Sequence, residues 1–243
     1  MIKIIKVGKL NNSYEKYHIL EDNHLIGHFV AYDNKYHSNN KYISPLNETF
    51  NTLNDEQYIK AVKDYFNQPL QVVVDSKEKE IIKKLKELGF SLKRETFERT
   101  YYKKDFILKN IGLIEIEFYD KGSLEYEKAA NIAYEHYLKT HKKVNPYTGT
   151  LEDFLEILPE QVICQTHKNK IINLSFVDNN EFCYWASNER KSFETFAYTL
   201  IVYMFSRHDM IELEVDSTDY IARQIKAMFH DNNKDSIKTF IFE

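Results

Sequence analysis

Few residues in this chain have types that could do chemistry, and most of those stand alone. Cys164 and Cys183 lie far apart, outside any Cys-x-x-Cys spacing, within the apolar runs "QVICQTH" and "EFCYWAS". That setting predicts buried, reduced thiols. His24 and His28, and likewise His136 and His141, have no cysteine or carboxylate at zinc-ligand spacing, so no metal site is expected. The 6 glycines, at positions 8, 27, 89, 112, 122 and 149, are spread out, so no glycine-rich loop is present to wrap a phosphate. Two Val-Asp-Ser corners remain, Val74-Asp75-Ser76 and Val215-Asp216-Ser217. Each ends a β-branched run and enters a charged helical pattern, where the Asp or Ser is expected to cap the helix.

The surrounding composition is that of a folded globular chain. Of its 243 residues 43% are hydrophobic and 29% charged. A formal net charge of −4 gives no reason to expect nucleic acid or an anionic membrane as partner. The basic pairs Lys83–Lys84 and Lys142–Lys143 read as solvated faces. "MIKIIKVGKL" is broken by lysines and has no signal-peptide core, and no apolar run reaches the length of a membrane span. The expectation is a soluble, cytoplasmic protein.

Periodicity supplies the elements that must position those corners. In the second half, Leu113–Tyr119 alternates as a half-buried strand. A helix follows, with Ala129, Ile132, Ala133, His136, Tyr137 and Thr140 at helical spacing. After the turn "VNPYTGT" comes a short helix over Leu151–Leu158, then strands from Gln161, Lys170 and Glu181. Asp178-Asn179-Asn180 turns the last two into an antiparallel pair. Phe193, Phe196, Ala197, Leu200, Ile201, Met204 and Phe205 form the strongest helical stripe, with Ser192 as the expected N-cap and Tyr198 and Arg207 facing out. "IELEVD", a helix over Asp219–Phe229 and "SIKTFIFE" complete the order β-α-α-β-β-β-α-β-α-β.

The first half repeats the end of that order. Strands are expected at Tyr17–Leu20, Leu25–Tyr32 and Tyr42–Ser44. A helix over Asp55–Phe66, strand Leu70–Asp75, helix Lys77–Leu88 and strand Glu95–Tyr102 follow. The matching helix–strand–corner–helix–strand order around the two Val-Asp-Ser triplets predicts one structural unit used twice.

"IELEVDSTDYIARQI" resembles the GNAT superfamily of acyl-CoA-dependent N-acyltransferases. A strand of Leu-x-Val type leads to an acidic residue, Asp219, then Ala222, then Ile225, and "LKELGF" (85–90) is similar to the ending the family uses after this helix. The resemblance implies an α+β fold of two GNAT-like mixed-sheet units flanked by helices, a truncated one over 1–105 and a complete one over 106–243. It implies two diverging central strands, "EFCYWAS" and "IELEV", that accept the pantetheine arm of acetyl-CoA as an added strand. The pyrophosphate would then meet a helix N-terminus.

Carried onto this chain, the family's pyrophosphate loop falls on "RKSFET". The implied cofactor-binding residues are Trp185, Ser187, Arg190, Lys191, Ser192, Phe193 and Thr195, with Phe193 and Thr195 standing where the family has small residues. Glu181 takes the place of the catalytic carboxylate, and the family's Tyr falls on Lys226 here and on Leu85 in the first half. The acceptor implied is a small-molecule or peptide amine. The alternative is a binding or regulatory protein that keeps the fold without the chemistry.

Overall fold

The computed structural model describes residues 1–45 and 47–243, with Asn47 and Glu48 described through their backbone alone. In chain order the elements are β1 (Ile2–Lys9), β2 (Tyr14–Glu21), β3 (His24–Tyr32), β4 (Lys41–Ile43), α1 (Asn47–Thr52), α2 (Glu56–Phe66), β5 (Leu70–Asp75), α3 (Lys79–Glu87) and β6 (Ser91–Tyr102). There follow β7 (Glu117–Asp120), α4 (Leu124–His141), α5 (Leu151–Ile157), β8 (Gln161–His167), β9 (Lys170–Asp178) and β10 (Glu181–Ser187). α6 (Arg190–Phe205), β11 (Met210–Asp216), α7 (Tyr220–Lys226) and β12 (Ile237–Phe242) complete the chain. The fold is α+β, and no helix among the described residues is long and apolar enough to cross a membrane.

The chain divides into two compact units that interleave in sequence. The first holds residues 1–95, 142–148 and 235–243, and the second holds 96–141 and 149–234. In the first, β1, β2, β3 and β4 pair antiparallel in turn, β4 runs parallel to β5, and β5 pairs antiparallel with β12. Lys3, Lys6 and Lys9 lie along β1, as suits an edge strand that must resist further pairing. Tyr58, Ile59 and Val62 of α2 and Ile81, Ile82 and Leu85 of α3 bury their stripes against Ile43, Leu70, Val72, Val74 and Phe240. Asp55 caps α2 by accepting the Gln57 N–H at 2.9 Å. α3 ends at Gly89, whose φ of +86° lets Phe90 turn back into the core.

In the second unit β7, β8, β9 and β10 are antiparallel neighbours, β10 is parallel to β11, and β11 is antiparallel to residues 96–102 of β6. Phe193, Phe196, Leu200 and Met204 are buried as their stripe requires. Ile221, Ala222 and Ile225 of α7 join them, which gives the Asp-Ala-Ile spacing a packing reason.

Several sequence expectations need correction. Tyr198 is buried, because its hydroxyl donates to the Lys109 carbonyl at 2.9 Å and so satisfies its polar end. α6 begins at Arg190 with Glu189 in the cap position, so Ser192 lies inside its first turn. The strand expected over 113–119 is paired from Glu117 onward. Ile111, Ile114 and Ile116 instead pack against the core around α6. The helices after the two corners are capped by Asp219 and preceded by Glu78, while Asp75 closes a turn by accepting the Lys77 N–H at 2.7 Å.

Candidate active site

In the second unit β10 and β11 part after a short parallel pairing. Among the described residues these parallel strands pair at Glu181–Glu212 and Phe182–Leu213, after which β10 continues to Ser187 and β11 to Asp216. The main-chain groups facing each other beyond that point can bond an extended chain laid in as a strand. Cys183 is the extra residue of a bulge against β9, which shifts the register between Phe182 and Tyr184. A bulge reverses which face the following side chains occupy. Trp185 therefore joins Phe182 on the α6 side, where Phe193 and Phe196 pack on it, and Tyr184 turns towards Tyr137 of α4.

The face towards α4 is acidic. Ile211, Leu213 and Val215 point to the α6 core, so Glu212, Glu214 and Asp216 point the other way, across from Glu181, Glu98 and Thr96. Glu181 is exposed and Glu212 half-buried, directly opposite each other where the strands still pair. Like charges so placed cost sheet stability. Asp216 is buried, accepts the Thr96 hydroxyl at 2.5 Å and lies 3.5 Å from His141 Nε2. Tyr137 stacks on His141 with ring centroids 3.8 Å apart. Further out, His136 Nε2 sits 2.9 Å from Asp219 Oδ2, whose other oxygen caps α7 by accepting the Ile221 N–H at 2.8 Å.

Buried Asn173 fixes the loop after β10. Its Nδ2 donates to Gln165 Oε1 at 2.6 Å and to Ser192 Oγ at 2.9 Å, and its Oδ1 accepts from Ser187 Oγ at 2.6 Å. Ser192 Oγ in turn donates to Glu189 Oε2 at 2.9 Å. Both serine hydroxyls thus spend their protons inside the protein and shape the loop. Arg190 and Lys191 are exposed, with the Arg190 guanidinium 4.7 Å from the Tyr220 ring centre at the start of α7. Thr195 is half-buried one turn into α6, and its carbonyl accepts from the Thr199 hydroxyl. Phe193 is fully buried and anchors α6 in the core.

Burial, with the nearby carboxylates of Glu181 and Asp178, pushes the Cys183 thiol up to about 12. It stays protonated near neutrality, which removes it as a nucleophile. A separate cavity of about 700 Å³ beside Asn188 is lined by Glu117, Tyr119, Lys128 and Lys170. Hydroxyl donation from Thr166 and then Tyr119 holds its Glu117 carboxyl below the usual range.

No protein-family model matches the chain, and no curated protein matches its sequence. Solved structures match it nearly end to end. A GCN5-related N-acetyltransferase from Sphaerobacter thermophilus aligns with a TM-score of 0.57 at 9% identity, over 97% of this chain and 82% of that one. A conserved Enterococcus faecalis protein of unknown function, described as a probable N-acyltransferase, aligns at 0.52 and 8% identity, over 99% and 72%. The chain has the GNAT fold.

Within this GNAT fold Glu181 lies where the strands are still paired, while Trp185, Ser187, Arg190, Lys191 and Ser192 gather where they diverge. Lys226, at the position of the family's Tyr, is ion-paired to Asp231 at 2.6 Å on the α7 side. In the sequence Asp216 and Asp219 have structural readings only, and neither Glu212 nor either histidine–carboxylate pair is signalled. His136 and Asp219 are 83 residues apart, so no local spacing announces them. Asn173 gives no signal either, standing in a mostly apolar strand that also carries Ser175.

Proposed function

We propose that the chain is an acyl-CoA-dependent N-acyltransferase, moving an acetyl or related acyl group to a small-molecule or peptide amine in the cytoplasm. The parallel pairing of β10 and β11, which lasts two residue pairs and then gives way, carries this reading. The residues present suit acetyl-CoA. Main-chain groups of 183–187 bond the pantetheine amides, and the first turn of α6 with Arg190 and Lys191 faces the pyrophosphate. Trp185 lies under the arm, and Phe193 and Thr195 support the helix rather than touch phosphate. Ser187 and Ser192 hold the loop through Asn173. Acetyl-CoA supplies the activated acyl group.

Glu181 accepts the proton that the amine gives up as its N–C bond forms and the C–S bond breaks. Glu212 beside it favours a cationic amine in that place. The recurrence of a short parallel pair at β4 and β5 supports a tandem of two GNAT-like units, a truncated one over 1–105 and a complete one over 106–243.

Thiol release from acetyl-CoA over a panel of amines tests the reading. Glu181→Gln is expected to lose about a hundredfold or more in turnover with unchanged acetyl-CoA affinity. Equal turnover by that variant would remove Glu181 as the base. Acetyl-CoA binding without thiol release for any amine would favour the alternative, a binding or regulatory protein, which the phenylalanine in the loop and the carboxylate of Glu189 beside it support.

A further inference from the structure

Trp185 is the one tryptophan of the chain, it is 7% exposed, and its indole Nε1 finds no hydrogen-bond partner among the described residues. A buried N–H without an acceptor is a standing cost that folded proteins rarely carry without a reason. The residue also stands at a particular place. It lies in the segment of β10 that has left β11, and the bulge at Cys183 directs it to the α6 side. Had the strand kept simple alternation, position 185 would face α4 instead.

Resting on the acyltransferase reading, we infer that the Trp185 indole N–H donates to a neutral carbonyl of the acyl-pantetheine arm and so positions the thioester along β10. The indole can only donate, so the ligand atom must be an acceptor. Phe182, Phe193 and Phe196 surround the ring, with centroids 4.7, 5.9 and 6.2 Å away. A phosphate oxygen in that apolar setting would bring an uncompensated charge, whereas an amide or thioester carbonyl brings none. Trp185 is thus a positioning residue that recognises the pantetheine portion and is indifferent to the nucleotide portion.

The single tryptophan makes the test direct, because one indole Nε1–H resonance reports on one bond. Protein labelled with ¹⁵N is titrated with acetyl-CoA, with pantetheine and with adenosine 3′,5′-bisphosphate, and calorimetry follows binding in parallel. The indole proton is expected to move downfield with acetyl-CoA and with pantetheine and to stay in place with the bisphosphate. Trp185→Phe is expected to weaken acetyl-CoA about three- to tenfold, as loss of one neutral hydrogen bond does, and to leave the bisphosphate unchanged. Saturation with acetyl-CoA that leaves the resonance unmoved would overturn the inference and spare the acyltransferase reading. So would an indole proton already downfield in the free protein, which means that water holds it. No heat of binding with millimolar acetyl-CoA would sink the reading itself. The resonance test needs no variant, so it stands even where Trp185→Phe folds poorly.

Discussion

In the first unit β4 and β5 pair at Lys41–Leu70 and Tyr42–Gln71, and in the second β10 and β11 pair at Glu181–Glu212 and Phe182–Leu213. Aligned on the Val-Asp-Ser corners, Val74 with Val215, Gln71 falls on Glu212 and Tyr42 on Glu181. The backbone device is shared and the chemistry is not. In the first unit residues 142–148 cover the pair. Asn145 Nδ2 donates to the Tyr42 hydroxyl, and Asn40 Nδ2 donates to Gln71 Oε1 at 2.9 Å and to the Val144 carbonyl at 3.2 Å. His37 adds a bond from Nδ1 to the Asn145 carbonyl at 2.8 Å, and burial holds its imidazole below the usual range. In the second unit the same two positions carry carboxylates, and β10 runs on to a loop with two exposed cations. In the first unit β4 ends one residue after the pair and amides cover it, whereas in the second β10 runs on past carboxylates towards cations.

The largest effect is expected at Phe193. Its substitution by glycine, which would restore the loop small residue of the resemblance, should cost about 3–5 kcal/mol in denaturant unfolding because a fully buried ring is lost. Acetyl-CoA affinity should not rise. A gain in affinity without loss of stability would mean that the loop of the second unit is blocked rather than built.

Next comes the brace behind β11. Asp231 bonds Arg99 Nε at 3.0 Å and Lys226 Nζ at 2.6 Å, and all but about a twentieth of the Arg99 and Asp231 side chains is covered. Burial pushes the Asp231 carboxyl up, but hydrogen bonds and charge from Lys226 and Arg99 outweigh this and leave it below the usual range. A carboxyl depressed in the folded state stabilises above its unfolded value, about pH 4, and that stability is lost as pH falls through the folded value. Asp231→Asn should cost about 3 kcal/mol near neutrality by removing the buried carboxylate that Arg99 and Lys226 share, and should flatten the acid limb of a stability–pH curve. An unchanged acid limb would show that the brace contributes nothing.

Asn145→Ala should have a smaller effect, about 1–2 kcal/mol from the lost bond to Tyr42, with acetyl-CoA affinity unchanged. A fall in affinity would tie the covered strand pair of the first unit to acetyl-CoA binding. Smallest in stability is Arg190→Ala with Lys191→Ala, which should leave the melting temperature in place. It should weaken acetyl-CoA and flatten the salt dependence of its binding, because exposed charges act through screened attraction.

Much of this fold was legible in the sequence, and the site was legible in part. The strands at 70–75, 161–167, 170–178 and 181–187 followed from β-branched runs bounded by turns, and Phe196, Leu200 and Met204 from helical spacing. Helical spacing puts Tyr198 outside, yet its ring is buried because its hydroxyl reaches a carbonyl, a pairing that periodicity does not encode. β1 was hidden by its lysines, since an edge strand can be polar on both faces. The divergence of β10 from β11 is a matter of pairing, so sequence supplied it through resemblance alone. The opposed Glu181 and Glu212 depend on register across two distant strands, and the bulge at Cys183 depends on one extra residue in a run that reads as regular.

Acyl-CoA is expected to enter where β10 leaves β11 in the second unit and not at the covered strand pair of the first. Calorimetric titration with acetyl-CoA measures this directly through its stoichiometry. One molecule bound per chain is predicted, with binding weakened by Arg190→Ala and Lys191→Ala and untouched by Asn145→Ala. Two molecules per chain, or one whose affinity follows Asn145 and ignores Arg190 and Lys191, would contradict it.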